Sequence, residues 1–201
     1  MSDSSQENTS SESLVDRSVF GGRRILIAIC GGIAAYKVAS VVSALAQSDA
    51  EVTVAMTESA TRFVTPLTFQ ALSGRPVFTS QWDQFEAADP QHVRLATDLD
   101  AVLVAPCTMN SLARIAGGFA DDAVTSVLAA IDRSVTPVLL APSMNTEMWG
   151  QPATRRNLEL VQADGYRIVE PGVGWQACRR SGAGRLPEPK VLLRAISEVL
   201  G

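Results

Sequence analysis

From Arg24 onward, short continuous apolar runs alternate with segments whose apolar residues recur at helical spacing. That alternation constrains the fold more than any single motif. The apolar runs are RILIAI, EVTVAM, DAVLVAP, PVLLAP and YRIVEP. Their unbroken Val, Ile and Leu content is that of strands covered on both faces, as in a parallel sheet. Between them lie AAYKVASVVSALAQ, SLARIAGG with DDAVTSVLAAID, and ATRRNLELVQADG, two of which end near Gly or Asp. Strand–helix alternation of this kind predicts an α/β, doubly wound sheet with helices on both faces. Such sheets bind ligands beyond the carboxyl ends of their strands, which places CGGIAA, TESAT, APCTMN and APSMN on one rim.

Composition narrows the function classes. A chain of 201 residues, 46% hydrophobic and 19% charged, suits one globular domain with a sizeable core. The net charge of −4 and the lack of a long basic run argue against a nucleic-acid surface. No apolar stretch reaches the ~18 residues of a membrane span. The Ser-rich start, MSDSSQENTSSESLVDRSVF, has no apolar core, so it reads as neither signal nor transit peptide but as a disordered tail over residues 1–22. Cys30, Cys107 and Cys178 form no C-x-x-C pair, which predicts a reduced, cytoplasmic setting without a disulfide framework or a metal site.

The stretch CGGIAAYK follows the first apolar run. Backbone amides at a helix N-terminus bind phosphate, but the spacing is not G-x-G-x-x-G. No Asp or Glu closes EVTVAM, where a dinucleotide's ribose would be read. The hydroxyls of Thr57, Ser59 and Thr61 suit a terminal phosphate monoester, and a tight βα turn that needs small residues accounts for the loop equally. Two further stretches stand out. QFEAADPQHVRLA carries the only histidine, His92, and residues 171–189, PGVGWQACRRSGAGRLPEP, are too rich in Gly and Pro for regular structure. A long loop in a compact domain is often a lid or flap, which singles out Cys178 over Cys30 and Cys107, expected to pack as small side chains.

APSMNTEMW (141–149) resembles the P-x-M-N-x-x-M-W motif of the flavin-containing cysteine decarboxylases. HVRLA is similar to their H-I-x-L segment, and QACRRSGAGRLPEP to their A-C-G-x-x-G-x-G-x-M-x-E-P flap. GGIAAYK and APCTMNSLARIAGGFADD also match, and the likeness runs from about Arg24 to Pro189. The resemblance implies a Rossmann/flavodoxin-like domain over residues 23–201 with a substrate flap at 171–189, binding FMN without a covalent link. It implies Gly31, Gly32, Ile33, Thr57, Ser59, Thr108, Met109, Asn110, Ser111 and Ser143 around the cofactor. It further implies His92 as base, Asn145 as holder of the substrate carboxylate, and Cys178 as proton donor, with Met148, Gln176, Ala177, Arg179 and Arg180 toward substrate.

Flap cysteine Cys178 favours the branch of that family acting on 4′-phosphopantothenoyl-L-cysteine in coenzyme A biosynthesis. In that branch flavin oxidises the substrate to a thioaldehyde, CO2 leaves, and reduction restores a saturated thiol. The alternatives are a peptide-cysteine oxidative decarboxylase of the lantibiotic type, a flavin prenyltransferase, and a non-catalytic flavin-binding regulatory subunit. The family likeness also implies a homo-oligomer built from trimers, with the flavin pocket at a subunit interface, and no nucleic-acid or membrane partner. Arg179 and Arg180 stand where the family has Gly and an acidic or polar residue, and Leu186 where it has Met. These departures bear on flap closure, and the same arginines with Arg185 offer charge for an anionic substrate.

Overall fold

The computed structural model describes residues 17–82 and 91–201. Six parallel strands form the main sheet: β1 (Arg24–Ile29), β2 (Glu51–Met56), β3 (Val77–Phe78), β4 (Ala101–Cys107), β5 (Val138–Pro142) and β6 (Arg167–Ile168). Their order is β3-β2-β1-β4-β5-β6, so the chain reverses its direction of travel across the sheet between β1 and β4. Helices α1 (Ala35–Ala46), α2 (Glu58–Thr61), α3 (Pro66–Ser73), α4 (Gln91–Ala96), α5 (Met109–Ala116), α6 (Ala123–Ala130), α7 (Thr146–Trp149), α8 (Pro152–Ala163) and α9 (Pro189–Leu200) fill the crossovers and close the chain. The doubly wound α/β expectation holds.

The strand period explains why the apolar runs are continuous. Successive side chains point to opposite faces. Ile25, Ile27 and Ile29 pack with α1, α3 and α9, whereas Leu26, Ala28 and Cys30 pack with α5, α6 and α8. Both faces are dry, so neither parity is free to be polar. Helix α1 buries Val38, Val41, Val42 and Leu45 at i, i+3, i+4 and i+7, which turns its remaining face outward.

Within TESATRF, Thr57 caps α2 by accepting from the Ala60 amide at 3.2 Å. The structure differs from expectation at three places. YRIVEP contributes only Arg167–Ile168 to the sheet, because β6 is an edge strand paired with β5 over two residues. Residues 171–189 are more regular than their Gly and Pro content implies. They contain an antiparallel hairpin, β7 (Gly172–Trp175) and β8 (Ser181–Arg185). Finally, the stretch expected as tail ends in a 3-10 helix at Arg17–Phe20, where Phe20 is buried in the cluster that includes Leu192, Leu193 and Ile196 of α9. The rest of that stretch, residues 1–16, lies outside the described residues.

Candidate functional site

Beyond the carboxyl ends of β1, β4 and β5 opens a cavity of about 720 Å³. It sits at the β1/β4 reversal, where open α/β sheets bind ligands. The β1–α1 turn supplies Gly31, Gly32 and Ile33, the start of α5 supplies Thr108, Met109 and Asn110, and β5 leads into Ser143, Met144 and Asn145. The hairpin closes the remaining side with Trp175, Gln176, Ala177, Cys178 and Arg185. A second cavity of about 450 Å³ adjoins it, with Asn110 on the walls of both. It is lined by Thr57, Ser59 and Ser111 among others.

Local geometry accounts for the residue types. A Cβ on Gly31 would overlap the Ser59 hydroxyl, so glycine is what lets the β1–α1 turn touch the start of α2. Helix α1 has Ala34 at its N-cap without a side-chain cap, and the amides of Ala35 and Lys37 close the turn by donating to the Gly32 and Ala34 carbonyls at 3.0 Å. Thr108 caps α5 by accepting from the Ser111 amide at 3.3 Å, and its hydroxyl also meets the Ser111 hydroxyl at 3.1 Å. Asn145 caps α7: its Oδ1 accepts from the Met148 amide at 2.8 Å, which fixes the carboxamide and leaves the Nδ2 hydrogens for a ligand.

The hairpin is docked onto α7 by few contacts. Gln176 is buried and donates from Nε2 to the Ala183 carbonyl at 2.9 Å, while its Oε1 accepts from the Thr146 amide at 3.2 Å. Gln176, expected at the substrate, thus spends both ends of its amide on structure. The Met144 amide donates to the Gly184 carbonyl at 2.9 Å. Gly184 has φ of 108° and a Cβ there would overlap the Met144 carbonyl, so this position requires glycine twice over. Cys178 is exposed at the hairpin's connecting turn and its thiol donates to Gln176 Oε1 at 3.6 Å.

Electrostatics separate the two cavities. The larger has two charged residues on its walls, Lys37 and Arg185, and no carboxylate among the described residues. The smaller carries Glu58, Asp121 and Asp122 against Arg62 and Arg114. The hydrogen bond from Arg114 holds the Asp121 carboxyl below the usual carboxylate range. Beneath the loops, burial pushes the Cys30 thiol up to about 12 and raises that of Cys107 as well, so both remain protonated packing groups.

The expected residues divide accordingly. Gly31, Gly32, Ile33, Thr108, Met109, Asn110, Ser143, Asn145, Met148, Gln176, Ala177 and Cys178 meet in the larger cavity. Thr57, Ser59 and Ser111 line its neighbour. Arg179 and Arg180 line neither. Arg179 turns the hairpin with φ of 62°, and Arg180 points to Glu147 at 3.9 Å on the surface. His92 lies half-buried on α4 and lines neither cavity. Tyr36, Lys37 and Trp175 were not anticipated. Tyr36 and Lys37 follow Ile33 by three and four residues, the helical spacing that puts them on one side.

The Flavoprotein family model matches residues 16–201, and the chain belongs to that family. It is 42% identical over 176 residues to the coenzyme A biosynthesis bifunctional protein CoaBC of Bacillus subtilis, covering 88% of this chain and 43% of that protein. Identity to the CoaBC protein of Mycolicibacterium smegmatis is 44% over 166 residues, 83% of this chain and 39% of the other. The chain spans less than half the length of these relatives. Among solved structures, the FMN-dependent cysteine decarboxylase SpaF matches with a TM-score of 0.76 at 31% identity, over 90% of this chain and 97% of that one. A PPC decarboxylase mutant complexed with pantothenoylaminoethenethiol matches with a TM-score of 0.76 at 29% identity, over 87% and 96%.

Proposed function

We propose that the chain is an FMN-dependent carboxy-lyase that converts 4′-phosphopantothenoyl-L-cysteine to 4′-phosphopantetheine in coenzyme A biosynthesis. The observation that carries this reading is one cavity joining the Gly31–Gly32–Ile33 turn, the Thr108–Asn110 turn, Asn145 and Cys178. The sequence likeness to CoaBC proteins and the structural likeness to cysteine decarboxylases support it.

The site fits a flavin mononucleotide. The Gly31–Gly32 turn with Ser59 against it offers backbone polar groups and a hydroxyl, while Ile33, Met109 and Met144 offer apolar walls. Gly31, Gly32, Ile33, Thr57, Ser59, Thr108, Met109, Asn110, Ser111 and Ser143 are the residues that would hold it. Bound FMN supplies the electron sink that decarboxylation of a cysteine amide otherwise lacks. Asn145, its Oδ1 already engaged by the Met148 amide, directs Nδ2 to the substrate carboxylate. Met148 and Ala177 wall the substrate, and Cys178 gives up its Sγ proton to the product carbon as the saturated thiol is restored.

His92 takes the proton at the substrate thiol. In one copy it stays off the cavity, while Ile33, Tyr36 and Trp175 leave 58%, 59% and 64% of their surface exposed at it. Both features support a site completed by a second copy in a trimer or an assembly of trimers. The folded domain in this reading takes in the Arg17–Phe20 turn, whose Phe20 is buried in the core, ahead of residues 23–201, with 171–189 as its flap. No helix of the described residues is long and apolar enough to cross a membrane, and we place the protein in the cytoplasm.

The test is mass spectrometry of a reaction with 4′-phosphopantothenoyl-L-cysteine, run on the natural protein and on Cys178→Ser. The natural protein should yield the saturated thiol. The variant should release CO2 yet yield a product two hydrogens lighter. No loss of CO2 by either protein would end this reading.

A further inference from the structure

The larger cavity is charged in one sense only, and its two cations are not isolated. Lys37 comes from the first turn of α1 and Arg185 from the end of β8. Behind them Glu188, at the N-cap of α9, accepts on the same oxygen from Lys37 Nζ at 3.1 Å and Arg185 Nη2 at 2.5 Å. One carboxylate between two cations leaves this wall with a net positive charge. The Lys37 side chain is only 15% exposed, so bulk water screens its charge weakly. Arg185 commits Nη2 to Glu188, while its Nη1 passes close to Gly174, where a Cβ would stand 3.1 Å from it. The missing side chain at Gly174 makes room for the guanidinium beside the backbone, and Arg185 lines the cavity, where an anion can reach it.

Two phosphate groups enter the proposed reaction, one on the cofactor and one on the substrate. The hydroxyls of Thr57, Ser59 and Ser111 line the neighbouring cavity, whereas the two cations belong to the hairpin side with Cys178 and Gln176. We propose that Lys37 and Arg185, held as a pair by Glu188, form the seat for the phosphate monoester of the substrate and make the site prefer phosphorylated over unphosphorylated ligands. Glu188 is a positioning residue here, and the inference rests on the function proposed above.

Natural protein loaded with FMN is compared with Arg185→Gln and Lys37→Gln. Calorimetry measures binding of 4′-phosphopantetheine and of pantetheine, which needs no turnover. The natural protein should favour the phosphorylated compound, and each variant should lose roughly 10- to 100-fold of that preference. Glu188→Gln should lose less of it, since both cations remain. The ratio of FMN to riboflavin affinity in the flavin-free proteins should keep its natural value in all three variants. Equal binding of the two pantetheines by the natural protein would overturn the seat, as would variants that weaken both alike. A selective loss of FMN over riboflavin would reassign the pair to the cofactor and also overturn it. If the natural protein shows the phosphate preference but releases no CO2 from its proposed substrate, the seat stands and the proposed activity falls.

Discussion

The rim of strand ends and the hairpin face each other across one cavity, yet they are held by different physics. The rim rests on the core. Ile25 through Ile29, Val102 through Val104 and Leu140 are all buried, and the turns above them are fastened by caps at Thr57, Thr108 and Asn145. The hairpin has almost no core of its own: of its two strands, only Gly184 is buried. It is held by the amide of Gln176, the bond from Met144, and close approach at glycine. The side that would hold a cofactor is therefore rigid at the cost of unfolding the domain. The side that would meet a substrate changes without touching the sheet.

Three substitutions break or sharpen this contrast. The largest effect belongs to Gly31→Val, because the added atoms overlap Ser59 and a core-backed rim has nowhere to move. Overpacking of this kind costs about 1–3 kcal/mol, so flavin retention should fall roughly 10- to 100-fold. Flavin absorbance of the purified variant measures it, and full retention would show a rim softer than its burial implies. Gly184→Ala comes next. Its positive φ and its overlap with Met144 should undock the hairpin, about 1–3 kcal/mol of local strain, while unfolding of the sheet shifts little. Faster proteolysis within residues 172–185 at a near-natural melting temperature is the expected pair of results. A large fall in melting temperature would instead tie the hairpin to the core. Smallest is Arg179→Gly, which relieves a left-handed residue and should protect the hairpin from protease by up to about 1 kcal/mol. A hairpin loosened by that change would mean that the arginine side chain is a brace.

Much of this contrast was legible beforehand, and what was not has physical reasons. Strands β1, β2, β4 and β5 were readable because burial on both faces demands unbroken apolar runs. The short edge strands β3 and β6 carry no such demand. The hairpin read as irregular because its glycines answer to close approach by the Met144 carbonyl and the Thr146 side chain, which composition does not reveal. Arg179 and Arg180 were placed toward the substrate by chain position, but the turn directs them outward, and Arg185 faces the cavity instead. Lys37 stood in the open within CGGIAAYK. Its direction depends on the phase of α1, which the valine stripe at 38, 41 and 42 sets. The place of His92 depends on how α4 packs in the fold, which no local pattern carries.

The burial of Cys30 and Cys107 has a practical corollary. A thiol reacts with an alkylating dye as its thiolate, and these two are both protonated and out of reach. Cys178 alone among the three is exposed. The natural chain therefore carries a single addressable handle, seated at the turn of the hairpin. A fluorophore attached there needs no engineered cysteine and no removal of native ones. Its anisotropy would follow the docking of that one element while the rest of the molecule stays unlabelled.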